Sequence, residues 1–329
     1  MSRWARLPLS GLVLLALVAA GGCANKTFGT PTAVTTPSSA RHFDDPDRLT
    51  AKDALGDLTR FNPCSVLDPA GMPAAWHVSI DVPAAYEYCV MSVNTKEGVQ
   101  AEVQVGRLYQ SDHESGESQS RAGGLRVFPS DDTGNACSRD IVFADGIALV
   151  VRSWAQKAKD ATAMCGISDE VVDPVIDAVA AGRATSLTLP EHSLGAIDPC
   201  DVVTTEMATL VRGITAGVRP DRQLSGHSCW WMSDQGTMLE VAFDIGRLPA
   251  GDTGETTQGR YTAVTHYADD TASSTCAVVG EHVPFAFGST TGLIERAGIW
   301  VYLKPGEVEA ACTAGKQLAD ELWPELPPL

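Results

Sequence analysis

Residues 198–203 read Asp-Pro-Cys-Asp-Val-Val and residues 62–64 read Asn-Pro-Cys, and each motif opens a series of four cysteines. The two series consist of Cys64, Cys89, Cys137 and Cys165, and of Cys200, Cys229, Cys276 and Cys312. Successive cysteines are 25, 48 and 28 residues apart in the first series and 29, 47 and 36 apart in the second. Such similar spacing predicts a duplicated module held by disulfide bonds, which persist in an oxidising compartment.

Pairing of sequence neighbours is the simplest connectivity, although four cysteines allow two others in each series. The expected bonds are Cys64–Cys89, Cys137–Cys165, Cys200–Cys229 and Cys276–Cys312. Each bond would join a helix to a strand. Loops of this length predict about 3–4 kcal/mol of stabilisation per bond from chain entropy.

Further landmarks recur in the same order in both series, at a shift of about 140 residues. The matched pairs are Gly106-Arg107-Leu108 with Gly246-Arg247-Leu248, Asp131-Asp132-Thr133 with Asp269-Asp270-Thr271, and Gly146-Ile147 with Gly298-Ile299. This recurrence predicts two repeat domains, at residues 51–183 and 184–329.

Each repeat has the hydrophobic pattern of strands followed by a helix. Apolar residues alternate with Glu102 and Gln104 in the first repeat and with Glu240 and Asp244 in the second, which is typical of half-buried antiparallel strands. Residues 171–179 and 308–322 carry apolar stripes with helical spacing. We therefore expect an α+β fold, built from two tandem copies of a disulfide-linked α-β-β-loop-β-β-α domain with an antiparallel sheet.

The first helix of each copy should follow the first cysteine. Asp68-Pro69 has the form of an N-cap followed by proline at the first helical position. Thr204 is its counterpart in the second copy.

The N-terminus has the features of a secretory leader. Arg3 and Arg6 precede an apolar stretch at residues 7–20, which is shorter than the roughly 20 residues of a membrane-spanning helix. Ala20-Gly21-Gly22-Cys23 resembles a bacterial lipobox, with alanine where leucine is usual. The resemblance implies a signal peptide at residues 1–22 and lipidation of Cys23 by diacylglycerol and acyl chains such as palmitate. The alternative is ordinary cleavage that leaves a free thiol.

Residues 23–50 are expected to form the lipidated cysteine and a Thr/Pro/Ser tether, since apolar periodicity is absent there. The tether is either glycosylated or an unmodified spacer. The predicted location is the extracytoplasmic face of the cell membrane, with the lipid as the anchor.

The lipobox, the tether and the Asn62-Pro63-Cys64 and Asp198-Pro199-Cys200 motifs together resemble a large group of actinobacterial lipoproteins of unassigned function. Cys229-Trp230-Trp231 carries a further mark of that group, a tryptophan after the second cysteine, whereas Cys89-Val90-Met91 departs from it. A looser similarity is to the extracytoplasmic sensor domains of mycobacterial Ser/Thr kinases. The resemblance implies a binding or sensing module of the cell envelope and supplies no catalytic residue.

The composition narrows the classes of partner. The formal net charge is −17, and clusters of Lys and Arg are absent from the sequence, so nucleic acid is not an expected partner. Expected partners are the membrane, through the lipid anchor, and an envelope ligand or protein. No cofactor is expected.

The sequence lacks the common catalytic and metal-binding signatures. Neither a Gly-x-Ser-x-Gly elbow, nor a phosphate-binding loop, nor the zinc-protease pattern occurs. Gly226-His227-Ser228 is no dyad, because adjacent residues on a strand point to opposite faces. The two Asp-Asp-Thr segments favour turns, with calcium binding as the alternative. No catalytic residue and no metal site are predicted.

Six residues are candidates for ligand contact. Trp230, Trp231, Trp300 and Tyr302 make the second copy richer in aromatic residues; half of them should face the core, and the other half could stack on a sugar or a hydrophobic ligand. Arg107 and Arg247, each after a glycine, are either structural ion-pair residues or anion contacts.

The expected function is non-catalytic binding or sensing in the cell envelope. A cell-wall-directed hydrolase is the first alternative, because two carboxylates distant in sequence can meet in the fold. A structural scaffold for envelope protein assembly is the second.

Overall fold

A computed structural model describes residues 48–83, 85–113, 118–130, 135–155, 161–248, 253–267, 273–287 and 290–329. The signal peptide, Cys23 and most of the tether lie outside the described residues, as do Asp131-Asp132-Thr133 and Asp269-Asp270-Thr271. Their predicted roles stay predictions.

The first half of the described chain contains a seven-stranded antiparallel sheet. Its strands are β2 (His77–Pro83), β3 (Tyr88–Asn94), β4 (Gln100–Gln110), β5 (Gln119–Ser120), β6 (Arg126–Pro129), β7 (Ala136–Val142) and β8 (Ile147–Trp154), in the order β2-β3-β4-β8-β7-β6-β5. The helices of this half are α1 (Ala51–Leu55) and α2 (Ala161–Ala180).

The second half contains another seven-stranded antiparallel sheet. Its strands are β10 (Asp221–Arg222), β11 (Ser228–Met232), β12 (Met238–Gly246), β13 (Thr253–Thr257), β14 (Arg260–Tyr267), β15 (Ser274–Phe287) and β16 (Thr290–Leu303), in the order β10-β11-β12-β16-β15-β14-β13. Its helices are α3 (Pro199–Val202), α4 (Thr205–Ala208) and α5 (Val308–Leu322). The fold is thus mixed α+β with antiparallel sheets, as predicted, but it is mostly β, since each sheet has more strands than expected.

The two long helices lie where the apolar stripes predict them. Val171, Val175 and Val179 on α2 are buried, and α2 packs against β7 and β8. Ala311, Leu318 and other apolar residues of α5 are buried against β14, β15 and β16. Each sheet therefore has an inner face, covered by its helix, and an outer face on the opposite side.

The prediction of an α-helix after Cys64 is wrong. Residues Pro63–Val66 and Pro69–Gly71 form two short 3-10 helices instead, and the Asp68 carboxylate accepts a hydrogen bond from the Ala70 amide at 2.9 Å. Asp68 is thus a cap, but Gly71 and the proline at position 73 are poor helix formers and stop the helix after one turn. Thr204 caps α4 as predicted, through the Met207 amide at 3.1 Å. Further 3-10 helices span Ala122–Gly124, Leu194–Ala196 and Trp323–Glu325.

The sequential disulfide connectivity is confirmed. Cys64–Cys89 and Cys200–Cys229 have Cα–Cα distances of 5.0 and 5.2 Å and join a short helix to β3 or β11. Cys137–Cys165 and Cys276–Cys312 have distances of 5.0 and 5.1 Å. They fasten α2 to β7 and α5 to β15, so every bond joins a helix to a strand.

The strand register corrects two of the sequence landmarks. Cys89 lies opposite Val105 and Cys229 lies opposite Val241, so the β11–β12 hairpin is shorter by two residues in each arm. Arg107 and Arg247 therefore do not occupy matching places, contrary to the alignment of their motifs.

The second glycine landmark fails for a related reason. Gly146 occupies a turn before β8 with φ of 78°, whereas Gly298 lies inside β16. No turn precedes Ile299.

The two halves of the described chain are in close contact. Strand β1 (Phe61–Asn62) pairs with β9 (Thr185–Ser186), which follows α2 in the chain. Tyr86 is 1% exposed and belongs to the apolar cluster of the second half. Its ring lies 4.7 Å from that of His227, whose Nε2–H donates to the Thr59 carbonyl at 2.9 Å.

Removing one disulfide should destabilise the fold without changing its topology. For the double substitution Cys276→Ala and Cys312→Ala, which opens a 36-residue separation, we expect a loss of about 3–4 kcal/mol in the free energy of unfolding. Urea denaturation followed by far-UV circular dichroism measures this loss. Wild-type protein with its disulfide bonds reduced is the control. A denaturation midpoint of the variant equal to that of the oxidised wild type would contradict the expected loss.

The free energy of unfolding should decrease as the pH is lowered, because His227 becomes protonated. Burial lowers the pKa of His227 to about 4 from 6.5, with smaller opposing effects of the Thr59 carbonyl and Asp57. Between pH 6.5 and 4 the unfolded chain therefore binds a proton that the folded chain does not, and stability decreases as pH falls through this window.

The substitution His227→Gln keeps a donor for the Thr59 carbonyl and removes the titration. We expect the decrease in unfolding free energy between pH 6.5 and 4 to shrink by up to about 3 kcal/mol. Urea denaturation at several pH values measures the slope, and His77→Gln, at an exposed position, is the control. Equal slopes in the wild type and His227→Gln would refute this assignment.

Candidate functional site

The outer face of the second sheet is the candidate site. Gly315 of α5 packs on Val278 and Val301, which places these valines on the inner face. Because side chains alternate along a strand, the neighbours of these valines point to the outer face. Cross-strand register then aligns a row of outer-face residues: Asp221, Trp230, Glu240, Trp300, Ala277 and Thr265.

The predicted aromatic residues divide between the two faces, but one of the four faces the core, where half were expected to. Trp231 is 2% exposed and lies in the core cluster, with no part in any surface. Trp230, Trp300 and Tyr302 are partly exposed on the outer face. Because Met232, Tyr261 and Tyr267 share this face and are 57%, 43% and 49% exposed, the candidate site is rich in accessible large side chains.

Trp300 lies along the surface of the sheet. A Cβ atom placed on Gly298 would be 2.1–3.0 Å from three atoms of the Trp300 ring, so the indole occupies the space above that glycine. The absence of a side chain at position 298 is therefore what allows the ring to lie close to the sheet. Tyr261 lies over Gly254 in the same way, with the hydroxyl 2.0 Å from the position of a Cβ.

Glu240 lies between Trp230 and Trp300 in the row and accepts a hydrogen bond from the Tyr302 hydroxyl. Burial, followed by the charge of Glu87, raises the pKa of Glu240 to about 7 from 4.5. The same neighbourhood raises the pKa of Tyr302 to about 12, chiefly through burial. A carboxyl group that is half-ionised near neutral pH can both donate and accept hydrogen bonds there.

Charged residues of the first half influence the ionisation of the Glu240 carboxylate. Arg107 follows Gly106 in a bulge of β4, with φ of 48° and 135°, respectively. The Arg107 amide donates to the Glu87 carbonyl at 2.7 Å, and its guanidinium lies 5.3 Å from the centre of the Tyr88 ring. Arg107 lowers the pKa of Glu240, so the predicted arginine contributes charge to the site from the neighbouring sheet.

Arg247 plays no such part. Its side chain is exposed, and its carbonyl accepts a hydrogen bond from Arg296. Arg296 forms a two-point ion pair with Asp244, at 2.6 and 2.7 Å, and covers Gly246. Asp244 is the remaining charged neighbour of Glu240, and it raises that residue's pKa.

Two polar atoms near the row are buried without a hydrogen-bond partner among the described residues. They are the indole nitrogen of Trp230 and the hydroxyl oxygen of Thr265. Buried polar groups in proteins are paired as a rule, so each such atom requires an explanation.

The first sheet carries a cleft of its own. An open cleft of about 870 Å³ lies over β2, β3, β4 and β8. Its polar and aromatic lining includes His77, Ser79, Ser92, Glu102 and Trp154. Trp154 is the last residue of β8, and it serves as the tryptophan for control variants on the first sheet.

The described ranges offer neither a metal site nor a membrane-spanning helix. No cluster of three or more His, Cys, Asp or Glu residues suited to a metal ion occurs in that part of the chain. Among the same residues, none of the helices is both long and apolar enough to cross a membrane.

The sequence interpretation treated Glu240 only as a polar strand residue, and it missed Glu87 and Tyr261. A usable signal was the spacing Gly298-Ile299-Trp300, since a glycine two residues from a tryptophan on one strand shares its face. Glu87 and Arg107 carry no comparable signal, because their proximity to Glu240 depends on how the halves pack.

Comparison of the chain with models of known protein families, with curated proteins and with solved structures found no match.

Ionisation of Glu240 should be visible in tryptophan fluorescence. Because Trp230 and Trp300 flank this carboxyl group and its pKa is about 7, we expect an emission change with a midpoint near pH 7. The charges facing Glu240 are those of Glu87, Arg107 and Asp244. Glu240→Gln should abolish the transition, whereas Glu102→Gln on the first sheet should leave it. A transition that persists in Glu240→Gln would show that another group causes it.

Proposed function

We propose that this chain is a membrane-anchored extracytoplasmic lipoprotein that acts as a non-catalytic binding or sensing module in the cell envelope. The lipobox-like segment ending at Cys23 supports the anchor. The four disulfide bonds support an oxidising compartment, since such bonds are rare where thiols are kept reduced.

We further propose that the chain arose by duplication of one domain. Its relationship to the actinobacterial lipoproteins of unassigned function is likewise a proposal. The two sheets share one strand order, with a helix fastened by a disulfide to the same strand of each. The offset of four residues in the hairpins then reflects an insertion or a deletion in one copy.

The observation that carries the binding function is the aromatic outer face of the second sheet. Large exposed apolar side chains concentrated on one face of a soluble domain indicate an interaction surface. Here Met232, Tyr261 and Tyr267 are exposed on the face that also holds Trp300, while α5 packs against β14, β15 and β16 on the inner face.

A cell-wall-directed hydrolase is the second candidate, favoured by one observation. Glu240 has a pKa raised to about 7, and Glu87 is the charge with the largest effect on it. A protonated carboxyl group beside a second carboxylate is the arrangement that glycoside hydrolysis uses.

Membrane extraction followed by mass spectrometry tests the binding function. We expect full-length protein in the membrane fraction, Cys23→Ala in the soluble fraction, and co-purification of an envelope component with the wild type. Trp300→Ala should lose that component, while Trp154→Ala should retain it. Equal recovery with wild type and Trp300→Ala would contradict binding at this face, and reducing ends released from wall polymers would instead support the hydrolase.

A further inference from the structure

We propose that the outer face of the second sheet binds a neutral, linear oligosaccharide across its strands, with Trp300 and Tyr261 as stacking platforms and Glu240 as a hydrogen-bonding partner. This inference names the ligand class for the binding function proposed above and rests on it.

The first support is the shape of the two aromatic residues. Trp300 lies over Gly298 and Tyr261 lies over Gly254, so both rings extend along the sheet and do not stand upright from it. The flat apolar face of a sugar ring packs on such a surface, and ring hydrogens interact with the negative face of the π-system. An upright tryptophan would instead present an edge.

The second support is the alignment of the platforms. Gly298, Val279, Ala263 and Gly254 are paired in one row across β16, β15, β14 and β13. Trp300 reaches this row from one side and Tyr261 from the other. With strands about 4.8 Å apart, the platforms stand roughly 14 Å apart, a span of about three or four linked sugars.

The third support is the set of polar groups beside the row. Sugar hydroxyls both donate and accept hydrogen bonds, and Glu240 and Thr265 lie on either side of Trp300 in the adjoining row. The Thr265 hydroxyl and the Trp230 indole nitrogen lack partners among the described residues. Both atoms are buried, so a ligand hydroxyl can reach them only after neighbouring side chains rotate.

Charge decides against an acidic glycan. Glu87, Glu240 and Asp244 lie together, whereas Arg296 is already paired with Asp244. The chain as a whole carries a net charge of −17. An anionic polymer would be repelled at the site and by the protein surface, so the ligand is neutral.

The test uses full-length protein in detergent and defined probes. Isothermal titration is performed with di- and tetrasaccharides of the gluco, galacto, arabino and N-acetylglucosamine series, and with tetragalacturonate as the acidic probe. We expect at least one neutral tetrasaccharide to bind and the acidic probe to fail. Failure of all neutral tetrasaccharides, or preference for tetragalacturonate, would overturn the proposal.

Variants then locate the binding site. Gly298→Ala places a methyl group where the Trp300 ring lies and should weaken tetrasaccharide binding at least tenfold, as should Trp300→Ala. The matched control is Gly166→Ala, since a Cβ at that exposed glycine of α2 meets no atom within 4 Å. If Gly298→Ala alters the circular dichroism spectrum, Trp300→Ala alone decides the outcome.

Ligand length tests the span. Tyr261→Ala should lower the affinity for the tetrasaccharide at least fivefold and leave the affinity for the disaccharide unchanged, because only the longer ligand reaches the second platform. Tyr267→Ala, which removes an equally exposed tyrosine farther along β14, should change neither. Loss of binding in Trp154→Ala instead of Trp300→Ala would move the site to the first sheet and refute this assignment.

The two proposals fail differently. A protein or lipid recovered from membranes in a Trp300-dependent manner, together with no oligosaccharide binding, would leave the binding function intact and reject the glycan. Absence of any Trp300-dependent component, together with tetrasaccharide binding in solution, would retain the glycan specificity and reject the envelope role.

Discussion

The Cys276–Cys312 bond decides which side of the second sheet faces the core. Cys276 points toward α5, so Ala277 beside it points away, and register carries this choice across the sheet to Trp300 and Glu240. A register slip of one residue would exchange the two faces and turn the Glu240 side chain into the core. The covalent constraint on one strand thus determines the chemistry that the opposite surface can present.

Packing between the halves adds what neither sheet has alone. Tyr86 inserts into the second core, and the nearby Glu87 and Tyr88, with Arg107 of the β4 bulge, bring charge and an aromatic ring toward Glu240. Burial of these groups raises the pKa of Tyr88 as well, with Arg107 opposing the rise. The site therefore depends on the relative position of the halves, and a change there would alter the ionisation of Glu240.

Sequence reasoning succeeded where the signal is local or periodic. The disulfide pairing, the helices α2 and α5 and the Thr204 cap follow from spacing and residue type. It failed where two patterns compete: residues 63–71 contain a good cap but also prolines and a glycine, so only 3-10 turns form. It also failed at Gly106 and Gly246, where identical tripeptides occupy different registers because the hairpins differ in length.

The short pairing of β1 with β9 and the Cys64–Cys89 bond lie at the entrance of the folded part. A mechanical pull arriving from the N-terminal side of residue 48 passes through residue 64 and then along the sulfur–sulfur link into β3. The intervening segment, including edge strand β2, is bypassed and carries no load. Tension on the chain is therefore borne by a covalent bond and delivered to β3, the strand next to the edge, and edge strand β2 is protected from being peeled away.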